Sequence, residues 1–381
     1  AIFAQGREGL KSPTSLSAMT HGQGQLLVAV EEGCSVGEST STLTPGEWPN
    51  MALDPDTFGL TICSLVRDSY FLVKDRGNRA NRYWRLATTI YLLVACIAIQ
   101  VFLLSQVKRF VSAKAVHDVR LAYDEFQNTM YGGNVWVLAD TAKLERRGVG
   151  GYHGGFFNAS KFSELSPKTQ ASVCRITLSQ PFFLFAVLFI WSLTCIAELL
   201  KCKELFERLV LGVPIVSSMA EAVKLVEEDS SEHDAASMVV RGLPFGMKLV
   251  LVFAVILPRL GITCFLLWVG CRWLLATTSF SDLILNAVAL EFVLCLKDLL
   301  YMAVVPRRNV LAVENLFIHQ GAERESHWAF LSSLFWTGLS AAWVLFYMGW
   351  PGVDGCQQVL RCYQWDVHDV CVDWVTWRYM V

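Results

Sequence analysis

Three ionisable side chains, Glu291, Lys297 and Asp298, interrupt the run DLILNAVALEFVLCLKDLLYMAVV at residues 282–305, which is otherwise apolar enough to cross a bilayer. Two further charges fall inside other apolar windows, Glu198 in 181–200 and Arg259 in 249–271. A carboxylate in hydrocarbon can bind a proton or a metal cation, and a guanidinium or ammonium there needs an anion beside it, so these five residues are the transport or charge-clasp candidates. At about 100° per residue, Glu291 and Asp298 share a helix face and Lys297 points away from it. The short link 272–282 makes the two windows antiparallel neighbours. From this we expect Arg259 to clasp Glu291, Asp298 or both, and Lys297 to reach Glu198. Three carboxylates then face two cations, which leaves one carboxylate to hold a proton or a cation.

These residues need a membrane fold to position them. Of 381 residues, 54% are hydrophobic and 17% charged, which is too apolar for an ordinary soluble domain of this length. A spanning helix needs about 20 apolar residues, and the windows 86–107, 181–200, 249–271, 283–305 and 329–350 satisfy that length. The fold class expected is all-α: a polytopic transmembrane helical bundle of about five spans with amphipathic surface helices, an integral multi-pass membrane protein. The bundle occupies 86–350, with an outer loop at 108–180 and an inner loop at 201–248.

Lys and Arg near the span ends are more numerous on the side that includes Lys74, Lys201 and Arg307, so the N-terminus is expected inside and the C-terminus outside. The sequon at Asn158 then lies outside, where it is a glycosylation candidate. Cys174, Cys356, Cys362 and Cys371 also face the oxidising side and are disulfide candidates in three possible pairings.

Residues 1–55 read as a disordered or low-complexity tail, rich in Ser, Thr and Gly. Residues 56–85 read as an amphipathic basic juxtamembrane segment lying on the membrane surface, with Ile62, Leu65, Val66 and Phe71 on one face. Lys74, Arg76, Arg79, Arg82 and Arg85 would hold it to anionic lipid, so membrane lipids are the expected partners, with a homo-oligomer or a larger membrane complex the further possibility. Residues 111–130 are again amphipathic, and 351–381 form a Cys- and Trp-rich outer tail. A net charge of −2 and the lack of zinc-finger or RNP patterns argue against nucleic acid.

No zinc-protease His-Glu-x-x-His, nucleophile elbow or Walker A run occurs, so no enzyme activity and no cofactor are expected. The tail segment WDVHDVCVDW gathers Asp366, His368, Asp369, Cys371 and Asp373 without a known ligand spacing, so no metal site is assigned to it.

The stretches SYFLVKDRGNRANRYWR, AKAVHDVRLAYDEFQ and LNAVALEF resemble a recurrent group of uncharacterised multi-pass membrane proteins of dinoflagellate algae, over most of residues 52–350. The resemblance implies a membrane protein and brings no catalytic residues. In that group LNAVALEF is often continued by a more acidic stretch, whereas here Cys295 and Lys297 intervene. The function expected from the residues is ion- or proton-linked transport or channel activity, with a membrane scaffold or accessory subunit as the alternative.

Overall fold

The computed structural model describes residues 51–75, 77, 79–130, 158–226, 237–318, 327–348 and 366–379. The tail up to residue 50, the glycine-rich stretch 148–157, Arg76, Cys356 and Cys362 lie outside the described residues. The chain is a helical bundle. After a two-residue strand β1 (Met51–Ala52) come α1 (Thr57–Lys74) and α2 (Arg79–Gln106). A π-helical turn, Val107–Ser112, carries α2 directly into α3 (Ala113–Met130). Then follow α4 (Pro167–Arg175) and α5 (Pro181–Leu205), which ends in a second π segment, Phe206–Gly212. Strands β2 (Val223–Val226) and β3 (Ser237–Val240) precede α6 (Phe245–Leu251), a third π segment (Val252–Ile256) and α7 (Leu257–Leu275). The remaining elements are α8 (Phe280–Val304), α9 (Arg307–Glu314), β4 (Leu316–Ile318), α10 (His327–Met348) and α11 (Asp366–Tyr379).

Among the described residues, four helices are long and apolar enough to cross a membrane: Arg79–Tyr123, Pro181–Gly212, Phe245–Leu275 and Leu331–Met348. The fifth expected window forms the 25-residue helix α8, but Glu291, Lys297 and Asp298 keep it out of that set. Helices such as Pro181–Gly212, at 32 residues, are about 48 Å long and exceed the hydrocarbon thickness of about 30 Å.

The four strands among the described residues, absent from the sequence expectation, form one sheet of order β1-β4-β3-β2. β1 and β4 are antiparallel, β4 and β3 parallel, β3 and β2 antiparallel. Strands of two to four residues are too short to show an alternating pattern, and their pairing joins segments far apart in the chain. The sheet gathers the start of the described chain, the loop after α5 and the segment after α9 at one end of the bundle.

The opposite end is tied by other contacts. Thr177 N–H donates to Thr277 O (3.4 Å), Tyr123 hydroxyl donates to Asp366 (3.2 Å), and His368 Nδ1 lies 2.7 Å from Ser179 O. A disulfide joins Cys174 to Cys371, with Cα atoms 5.3 Å apart. Helices α2, α5, α6–α7, α8 and α10 therefore run between a sheet end and a disulfide end.

Two apolar cores follow from this arrangement. One fills the disulfide end, with Phe126, Leu178, Leu184, Trp191, Leu266 and Leu274 among its members. Gly270 of α7 is needed there, because a Cβ would lie 2.5 Å from the Trp191 indole nitrogen and push α5 and α7 apart. The second core, at the sheet end, includes Phe58, Ile62, Val66, Leu209, Leu251 and Val313. Helix α1 belongs to this core: Thr57 to Val66 are all buried, so it is inserted between other elements, not laid on a surface. The apolar face seen in the sequence meets protein where lipid was expected. In α3, Val119, Phe126 and Met130 pack into the disulfide-end core, while Val111 in the preceding π turn is 40% exposed.

Alkylation without reductant, followed by mass spectrometry, is expected to recover a Cys174–Cys371 cross-linked peptide and to modify exposed Cys264. A fully alkylated Cys371 would remove the staple. Loss of the bond in Cys371→Ser is expected to destabilise the fold by about 2–5 kcal/mol.

Candidate functional site

The charged residues are set at one level by helix length. Glu198 lies seventeen residues on from Pro181, Lys297 seventeen on from Phe280, and Arg259 sixteen before Leu275. With a 1.5 Å rise, all three sit about 24–26 Å from the disulfide end. The layer therefore separates the two apolar cores.

Glu198 is the hub. Its Oε2 accepts from Arg259 Nη2 at 3.0 Å and from Lys297 Nζ at 2.9 Å, and its Oε1 accepts from Lys201 Nζ at 3.1 Å. Glu198, Arg259 and Lys297 are each more than nine-tenths buried. Asp56 completes the layer from α1, with Oδ2 3.3 Å from Arg259 and 3.4 Å from Lys297. Asp54 Oδ2 lies 3.5 Å from Arg259, and Asp298 Oδ1 lies 3.8 Å from Lys297.

Local sequence explains each placement. Asp56 is the N-cap of α1, its Oδ1 accepting from Gly59 N–H at 2.6 Å, and a carboxylate there also offsets the positive end of the helix dipole. Gly59 is required because a Cβ would lie 2.1 Å from Asp54 O. Thr57 hydroxyl donates to Lys297 O at 2.6 Å and fixes the start of α1 on α8. Gln100 of α2 donates to Val293 O at 3.2 Å just beyond the layer. The Arg259 guanidinium also lies 5.6 Å from the centre of the Phe58 ring. Pro258 lacks an N–H, and the π segment Val252–Ile256 immediately before α7 shows the helix backbone adjusting its register beside it.

The expected Arg259 clasp is corrected. Arg259 pairs with Glu198, Asp56 and Asp54, while Glu291 is exposed and among the described residues has no ion-pair partner. Glu291 and Asp298 do lie on one helix face, but the inward face of α8 is the one with Leu290, Val293, Leu294 and Lys297. Glu291 is flanked instead by exposed Val288 and Phe292. Lys297 and Glu198 are in contact. Asp54 and Asp56 escaped sequence reasoning because they lie outside any apolar window; the available signal was Asp56 directly before the apolar-periodic stretch, an N-cap signature.

Among the lipid candidates, Arg82 pairs with Asp75 at 2.7 Å, Arg85 lies 3.4 Å from Asp68, and Lys74 donates to Tyr70 hydroxyl at 2.8 Å, while Arg79 is exposed. Burial pushes the Asp68 carboxyl up to about 6, against the pull of Arg67 and Arg82. Asn158 is exposed, its side chain accepting from Ser160 N–H and hydroxyl.

Two small cavities touch Arg259. One of about 30 Å³ lies towards the sheet end, against Asp54, Gly59, Lys201 and Glu204. The other, about 10 Å³, lies towards the disulfide end, against Gln100, Glu198, Thr263 and Lys297. The first has room for a water molecule and the second is at the lower limit for one. No family model, curated protein or solved structure matches the chain.

Arg259→Met is expected to destabilise the protein by roughly 3–5 kcal/mol, because it strips a buried partner from Glu198 and Asp56. Combining it with Glu198→Met and Asp56→Asn is expected to recover part of that loss. Thermal unfolding in detergent measures both; equal melting of wild type and Arg259→Met would show that the layer does not hold the bundle.

Proposed function

We propose that this integral membrane protein moves protons or a small cation, and that the Asp56–Glu198–Arg259–Lys297 layer is the closed gate of its path. The observation that carries the reading is the imbalance in the layer: among the described residues, buried Asp56 and Glu198 with partly exposed Asp54 and Asp298 face Arg259, Lys297 and half-exposed Lys201. A fourth positive charge, delivered as a proton or an ion, would balance it. The contacts also support a gate that opens. Asp56 is shared between two cations at distances longer than the about 2.7–2.9 Å of a strong charge-assisted bond. Buried Asp56 Oδ2 and Arg259 Nε have no hydrogen-bond partner among the described residues. Small cavities that charged side chains reach on both sides of Arg259 are where a hydrated path would be interrupted.

In this reading α8 is the fifth span, with the sheet end inside and the disulfide end outside. An epitope added after Val381 is expected to be cleaved by protease outside sealed, right-side-out vesicles. Protection there, with cleavage only after lysis, would reverse the orientation.

A second reading, an accessory subunit of a membrane complex, is favoured by Glu291. It sits in an exposed apolar stripe with Ile284, Val288, Phe292 and Met302, about 16 Å from the start of α8, where another chain's cation would satisfy it.

Flux assays on reconstituted protein, with a pH gradient and a panel of monovalent and divalent cations, separate the two. Transport is expected above that of empty liposomes, with at least a tenfold loss in Asp56→Asn and little change in Glu291→Gln. No flux of any ion from folded protein would transfer the reading to the subunit role.

A further inference from the structure

We propose that the disulfide end carries a binding site for a small zwitterion, a compound holding an ammonium and an anionic group a few bonds apart. An open cleft of about 390 Å³ lies where the α2–α3 helix crosses the turn between α7 and α8. That volume is in the range of small-molecule sites, about 300–1,000 Å³. It exceeds the two cavities at the buried layer by an order of magnitude.

The lining supplies both poles. Lys114 on one wall offers an ammonium to an anionic group, and Asp118 and Asp282 offer carboxylates to a cationic one. All three are exposed, and among the described residues none of them makes an ion pair with another protein group. Lys114 and Asp118 are four apart on one helix, a spacing at which opposite charges can meet, yet no such pair is made. Trp273 adds an aromatic face, which attracts alkylated ammonium groups more than metal ions with tightly held water, while the Phe110 ring already has the Arg109 guanidinium 5.4 Å from its centre. Two carboxylates against one lysine leave the cleft net negative, so a purely anionic ligand is disfavoured.

The floor of the cleft is held in place. Asn286 donates to Thr277 Oγ1 at 3.0 Å, and Thr277 Oγ1 donates to Trp273 O at 3.0 Å. Thr277 O accepts from Thr177 N–H, three residues from the Cys174–Cys371 staple. One wall includes the π turn Val107–Ser112, which contributes Phe110. Such turns are frequent at functional sites because they move side chains off the regular helical surface. The site stands independently of whether an ion passes the buried layer.

A zwitterion of this kind is either a free solute or a phospholipid headgroup, and the experiment separates them. Full-length protein in maltoside detergent is dialysed against labelled phosphocholine, choline and inorganic phosphate, and separately titrated with a short-chain phosphatidylcholine below its micelle concentration. We expect saturable phosphocholine binding at least tenfold tighter than that of choline or phosphate. Asp118→Asn with Asp282→Asn is expected to weaken phosphocholine and choline at least tenfold. Lys114→Gln is expected to weaken phosphocholine and leave choline unchanged. Tighter binding of the acyl-bearing probe assigns the lipid headgroup, and equal binding assigns a free solute. All variants change exposed residues, and an unchanged melting temperature with an intact disulfide verifies their fold. Absence of saturable binding by any probe, binding indifferent to these substitutions, or choline and phosphate each binding as tightly as phosphocholine would overturn the proposal.

Discussion

The rest of the structure is organised around the need to satisfy Glu198, Arg259 and Lys297 away from water. Three charges on three long helices at one level cannot be left singly in an apolar environment, where an unpaired ion is penalised by several kcal/mol. Their mutual contacts bring α5, α7 and α8 together at that level. Two cations and one carboxylate are still unbalanced, and the deficit is met from outside the three helices by Asp56 at the capped start of α1. This explains why α1 is threaded into the bundle. The capping carboxylate is delivered only if the first turn of α1 reaches the layer, and burial of Phe58 and Ile62 accompanies it.

The layer also divides the protein mechanically. On the disulfide side the helices pack through a core closed by a covalent cross-link, with close approaches such as Gly270 on Trp191 that leave little room for sliding. On the sheet side the core contains π segments in α5 and before α7, and very short strands. π segments and a proline beside the charge layer are the recognised causes of local irregularity and kinking in a helix. A cross-linked half and a half built on irregular helices and short strands thus meet at the ion-pair layer.

Glu291 illustrates how less than two turns of helix separate two fates. It lies six residues from Lys297, about 120° round α8, and is surrounded by exposed apolar side chains. The same helix thus presents a cation to the interior and an anion to the exterior. Function at the two surfaces need not be shared.

Much was legible in the sequence, and for local reasons. Runs of about 20 apolar residues force helices because backbone groups in hydrocarbon must be bonded within the segment, which is why the long helices and the helical class followed from composition alone. The placement of ionisable residues inside those runs marked Glu198, Arg259 and Lys297. Other features needed the tertiary structure. Helical periodicity shows which residues share a face but not which face turns inward, so Glu291 and Asp298 were read as facing Arg259 when the interior belongs to Lys297. An amphipathic helix looks the same whether its apolar face meets lipid or a protein core, so the burial of α1 was invisible. Asp54 and Asp56 enter the layer through contacts with Arg259 and Lys297 that span more than 200 residues, and Cys174 finds Cys371 across 197. Partners that distant are chosen by the packing of the whole bundle, and no local pattern of residue types encodes them.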